Sequence, residues 1–151
     1  MKQRRDAKKW LGSIKDELDE LYRLRVRREE LTIEIGYITG IDYSSGRVDE
    51  GSVKNPLELA AWKLLEKRES YNQRILKLMD QVDQKIDLIC KLPRTDQVKV
   101  LYLRYVKTMQ VQKIAEYMSY SYRHIERIHA DGIKSVQEAL DQADGFPEQF
   151  I

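Results

Sequence analysis

Apolar residues near the start of the chain stand at Leu11, Ile14, Leu18, Leu21, Leu31, Ile35 and Ile38, at spacings of three, four and multiples of seven. That period places them on one face of a helix and predicts a single long helix over residues 6–38. The stripe is interrupted at RVRRE, residues 25–29, where charge replaces the apolar seam. The next stretch, TGIDYSSGRVDEGSVKNP at 39–56, is rich in Gly, Ser and Asp. It is longer than most connections in a compact domain, which marks a functional or mobile loop. A second long helix then opens with Asn55 placed to cap, Pro56 in the first turn and Glu58 where a capping box has its acid. Its seam is Leu57, Ala61, Leu64, Tyr71, Ile75, Leu78, Val82 and Ile89, with Arg68 and Lys85 as polar exceptions. It stops at Leu92, because Pro93 disfavours helix in the residue before it.

Helices of about 33 residues are about 50 Å long at 1.5 Å per residue, too long to hide their seams in one small globule. They must pair, either folded back on each other as an antiparallel hairpin or between chains as a coiled coil, and heptads alone do not choose. Self-association through the long helices is expected.

After Pro93 the period shortens to three helices, at 95–107, 110–118 and 121–141. A helix-turn-helix needs a small residue in its first helix, apolar residues at the crossing and a tight turn. Ala115 is the small residue. Ile114, Met118, Tyr120, Ile125 and Ile128 fall at the remaining positions. Ser121 is a good N-cap, which leaves Tyr122, Arg123, Glu126 and Arg127 pointing away from the core at the end that enters a major groove. Ser119 stands where a left-handed backbone usually favours glycine, at a cost of about 1 kcal/mol. Gln110 is a weak cap for the middle helix.

Composition agrees with a helical protein that has long solvated faces: a third of the residues are charged, with only seven glycines and three prolines. The net charge of +2 hides a division along the chain. From Arg94 to Lys134, eight positive residues stand against four negative ones, an excess of four that suits a polyanionic partner. The Arg-rich run RLRVRREE, 23–30, is offset by Glu29 and Glu30 and reads as a solvated face. Cys90, the single cysteine, lies in the apolar sequence IDLICKL and reads as a small core residue. No apolar run approaches the roughly 20 residues that span a bilayer, so no membrane is expected and the chain is placed in the cytoplasm.

Catalysis and metal binding find little support. His124 and His129 are five residues apart, about 140° around a helix, unlike a pair four apart on one face. No glycine-flanked serine and no phosphate-cradling Gly-rich loop is present. Neither an enzyme, a metal site nor a cofactor is expected; His124 is assigned to solvent or phosphate and His129 to the helix junction. Of the tyrosines, Tyr105 and Tyr120 are read as inward and Tyr122 as the exposed one.

The sequence LYLRYVKTMQVQKIAEYMSYSYRHIERIHADGIKSV resembles the region-four helix-turn-helix of bacterial sigma factors, in the form carried by ArpU-like phage transcriptional regulators. Leu101, Arg104 and Tyr105, the triplet Ile114-Ala115-Glu116, Tyr120-Ser121, Arg123-His124-Ile125 and Ile128-His129 carry the likeness. The loop GRVDEGSV and the Leu92-Pro93-Arg94 junction extend it, so that it covers roughly residues 30–140; it departs at Asp49, Gln110 and Ser119. The resemblance implies sequence-specific binding of double-stranded DNA in a bacterial host, control of late, packaging or lysis genes, and RNA polymerase as a candidate partner. It places Tyr122, Arg123 and Arg127 against bases, and Glu126 where sigma factors often carry a basic phosphate contact. Lys113 and Lys134 are assigned to phosphates, with His124 beside them.

The expected architecture is all-α: a long helical hairpin or coiled coil over 1–92 with its loop at 39–56, a helix-turn-helix domain at 93–142, and an acidic, flexible tail at 143–151. Two rival functions use the same elements. A DNA-packaging adaptor similar to small terminase subunits also joins a helix-turn-helix to an oligomerising hairpin, usually with the DNA-binding part first. A structural coiled-coil protein leaves the base-facing arginines without a role.

Overall fold

The computed structural model describes residues 3–44 and 56–146. Every element among them is helical: α1 (Ala7–Ser44), α2 (Pro56–Cys90), α3 (Thr95–Leu101), which continues into a π-helical turn at Tyr102–Val106, α4 (Val111–Met118) and α5 (Tyr122–Asp144). The fold is all-α. The first helix passes its expected end at Ile38 and runs through Gly40 to Ser44, with the Thr39 hydroxyl donating back to the carbonyl of Ile35 at 2.9 Å. The rest of the expected loop, including GRVDEGSV and the Asn55 cap, lies outside the described residues.

The chain divides into two compact units, one of Asp19–Met79 and one of Met1–Leu18 with Asp80–Ile151. In the first, α1 and α2 run antiparallel: Arg28 Nη1 donates to Asn72 Oδ1 at 3.1 Å, and Arg25 Nη2 approaches Met79 Sδ at 3.6 Å. Leu21, Leu24, Leu31, Ile35 and Ile75 are buried between them. The charged break at 25–29 therefore does not interrupt the pairing. Leu24 supplies the apolar contact on one side of it, and Arg28 finds a polar partner across the seam. Leu57, the first residue of the expected seam, is exposed.

The second unit does not follow the junction at Pro93. Its main core joins Ala7, Leu11 and Ile14 of α1 and Ile89 of α2 to Leu101 of α3 and Val136 and Leu140 of α5. The first three turns of α1 thus belong with the C-terminal helices. Asp6 caps α1, its Oδ1 accepting from the Lys9 N–H at 2.9 Å. Lys85, a polar exception in the α2 pattern, is ion-paired with Glu17, donates to Ser13 Oγ at 2.6 Å and lies over the Trp10 ring at 5.6 Å. Cys90 corrects an expectation: it is exposed, and its neighbour Ile89 is the core residue.

The residues before α1 form a clasp on α5. Arg4 donates to both carboxylate oxygens of buried Asp141, at 3.0 and 2.8 Å, and Arg5 does the same to Asp144 at 2.7 and 2.8 Å. Gln137 joins them, accepting from the Ala7 N–H at 2.9 Å and donating to the Arg5 carbonyl at 2.8 Å. The Arg4 guanidinium holds the Asp141 carboxyl below the usual carboxylate range. The start of the expected tail is accordingly structured: α5 runs to Asp144, and Gly145 closes it at φ 77° with its N–H on the Gln142 carbonyl. Residues 147–151 of that tail lie outside the described residues.

Candidate nucleic-acid interface

A second apolar cluster sets α4 against α5. Val100, Ile114, Ala115, Ile125 and Ile128 are buried together, with Leu103, Met109, Val111 and Met118 packed around them. Ala115 is the small residue at this crossing. Where α3 meets α5, Gly132 does the same work: a Cβ there would stand 3.1–3.4 Å from Cδ1, Cγ and Cδ2 of Leu101.

Three residues, Ser119 to Ser121, separate α4 from α5. Ser119 adopts the left-handed backbone (φ 58°, ψ 39°) expected at its position. Its N–H donates to the Glu116 carbonyl at 3.3 Å and the Tyr120 N–H to the Ala115 carbonyl at 3.0 Å, which satisfies the carbonyls left open at the end of α4. Ser121 Oγ accepts from the His124 N–H at 3.2 Å and caps α5 as expected. Gln110 precedes α4 without a side-chain cap bond.

This turn fixes which face of α5 is outward. With Ile125 and Ile128 turned to the core, Arg123, Arg127, Ala130 and Lys134 recur at helical spacing on the opposite face, and all four are exposed. Tyr122, His124 and Glu126 are exposed beside them, as is Lys113 on α4. Among the described residues, Arg123, Arg127, Lys113 and Lys134 stand in no ion pair.

The two histidines separate. His129 is half-buried, its Nε2 lying 2.8 Å from the Tyr105 hydroxyl and its ring stacked on that of Tyr105 at 5.6 Å. Burial, with Arg104 and Lys8 nearby, lowers its pKa, and burial raises that of Tyr105. His129 is thus a junction residue whose burial favours the neutral ring. His124 meets the edge of the Tyr120 ring at 4.8 Å and faces outward. Among the described residues no group of three His, Cys, Asp or Glu is placed to hold a metal ion, and no helix is long and apolar enough to cross a membrane.

The tyrosines correct the sequence pattern. Tyr117 and Tyr120 are exposed as well as Tyr122, so three aromatic rings, not one, stand at or beside the turn. Tyr120 is displaced outward because Ser119, in the left-handed conformation, redirects the chain before its side chain can enter the crossing. Tyr117 and Tyr120 border an open groove of about 620 Å³ that also takes in Val98, Lys99, Tyr102, Leu103 and Met118. Helical spacing could have flagged Tyr117, which lies three residues after buried Ile114 but away from Ala115.

The short α4, a three-residue turn with Ser119 in the left-handed conformation, and an outward row of α5 cations that stand in no ion pair among the described residues define a basic, exposed face. Comparison of the chain with protein-family models, curated proteins and solved structures returns no match.

Proposed function

We propose that the chain is a sequence-specific DNA-binding regulator that lays the N-terminal half of α5 in the major groove of duplex DNA. The observation that carries this reading is the row Arg123, Arg127 and Lys134 on the face of α5 opposite its core contacts, in no ion pair among the described residues. A guanidinium can offer two parallel hydrogen bonds to O6 and N7 of guanine, whereas an ammonium neutralises phosphate. In this arrangement Arg123 and Arg127 read bases, with Tyr122 and Glu126 beside them. Lys113, Lys134 and His124 meet the backbone.

The resemblance to ArpU-like regulators and to sigma region four supports a narrower role in phage or prophage late-gene control, with RNA polymerase as a further partner. Pairing of copies through the long helices would set two reading helices on one duplex and raise affinity through effective concentration. Selection from a random duplex pool should yield a defined site. On it Arg127→Ala is expected to cost about 1–3 kcal/mol and relax the base preference, while Lys113→Ala weakens all duplexes alike and lowers the salt slope by about one. Equal losses from Arg127→Ala on selected and random duplex, at one salt concentration, would refute base reading by this helix.

A further inference from the structure

The seam of α1 is filled by α2 within the chain, yet α1 carries a second apolar row on the side away from that seam. Tyr22, Val26, Ile33 and Tyr37 are 71, 41, 54 and 72 % exposed. Counted at 100° per residue they fall within about 60° of one another, on the side opposite Leu24, Leu31 and Ile35. This is more large apolar surface than scattered exposure accounts for, and its continuity along one helix marks an interaction face.

The order of residues along this face identifies the occupant. Aromatic, β-branched, β-branched and aromatic side chains follow at intervals of four, seven and four, so the row reads the same from either end. Beside it runs a ridge of Arg23, Arg27, Glu30 and Glu34, also at helical spacing, whose first half is basic and second half acidic. A two-fold interface brings one patch against its own copy in reverse order. An antiparallel copy therefore sets Tyr22 against Tyr37 and Val26 against Ile33, and lays Arg23 and Arg27 along Glu34 and Glu30. In a parallel two-fold pair the two copies of this ridge fall on opposite sides of the interface, so its arginines and glutamates do not meet. The pairs Arg27–Glu30 and Arg23–Glu20, at 2.8 and 3.8 Å in the single chain, are solvent-exposed and can exchange partners at little cost.

We infer that a second copy of this chain docks antiparallel along the Tyr22–Tyr37 face of α1, with its dyad near Glu29 and Glu30. The docking face goes beyond the DNA reading and does not depend on it. The row spans only about 24 Å of helix, less than a standard interface of roughly 800 Å² per partner needs, so association is expected in the micromolar range.

Sedimentation velocity of the full chain without DNA, from about 1 to about 100 µM, should show mass rising from one copy to two. Ile33→Arg is expected to hold the chain at one copy throughout with unchanged circular dichroism, since Ile33 takes no part in the chain's own core. The pair Arg23→Glu and Arg27→Glu, which removes no apolar group, should also give a monomer. Adding Glu30→Arg and Glu34→Arg to that pair should restore the dimer. A wild-type chain that stays single at the highest concentration, or a dimer that survives Ile33→Arg, overturns the proposal. Failure of the fourfold charge exchange to restore the dimer overturns its antiparallel register.

Discussion

Removing everything before Arg94 leaves the complete α3–α5 segment, and the change of period at Pro93 makes this a natural place to cut. The core argues that the fragment will not fold. Truncation deletes Leu11, Ile14 and Ile89, each with no exposed surface, together with Ala7 and the Arg4–Asp141 clasp. At about 1.5–3 kcal/mol for each large aliphatic side chain, the three alone withdraw roughly 5–9 kcal/mol of burial. A segment of about sixty residues has a stability of only about 3–9 kcal/mol at 0.05–0.15 kcal/mol per residue. The loss is of the same size as the whole. Circular dichroism of the fragment should show low helicity with no cooperative melt, and binding to any selected duplex should fall to the level of an unstructured cation. A fragment that melts cooperatively near the temperature of the full chain would refute the argument, and would mean that the cluster of Val100, Ile114, Ile125 and Ile128 suffices.

Two further outcomes test the same unit. Gly132→Ala gains about 1 kcal/mol of helix propensity but presses on the branch carbon of fully buried Leu101, an overpacking that costs about 1–3 kcal/mol; thermal melts should show a net loss in the wild type and a net gain in a Leu101→Ala background, and a gain in both would sink the close-approach reading. Asp141 has its folded pKa depressed first by the Arg4 hydrogen bonds, against the opposing effect of burial, so its stabilisation is complete above the unfolded carboxyl value of about 4 and is lost as pH falls through the lower folded value. Urea melts should therefore separate wild type from Asp141→Asn at pH 7 and bring them together in strong acid; a constant gap at all pH values would contradict the pairing.

The helical class and the position of the turn were legible from residues whose roles are local. Ser121 caps its own helix, Ser119 takes the left-handed backbone its position demands, and Ile125 and Ile128 sit at a period that can face only inward. The outward direction of Arg123 and Arg127 follows from the same period. What the pattern did not reveal depends on partners far away in sequence. Arg4 and Arg5 look like a solvated cationic start until Asp141 and Asp144, some 137 and 139 residues later, are seen to meet them. Leu11 and Ile14 continue the same stripe as Leu21 and Leu31, and periodicity carries no sign that the first pair belongs to a different core from the second. Cys90 misled because its apolar neighbours describe the helix, not its own side. Tyr120 misled because a single left-handed residue ahead of it breaks the helical count by which it was placed inward.

The clasp between the first residues and the last helix bears on how the molecule comes into being. On a ribosome the segment Arg4–Ile14 emerges well before α5, with a whole second unit made in between. Until Val136, Leu140 and Asp141 have left the exit tunnel, Leu11 and Ile14 have nowhere to bury themselves and Arg4 has no carboxylate to hold. The outward face of α5 can be set in place only after α5 itself is free, long after Leu11 and Ile14 have been made. A product that stops short of Val136 is therefore expected to lack both the burial of Leu11 and Ile14 and the partner of Arg4, and so to leave the unit around α5 unfolded.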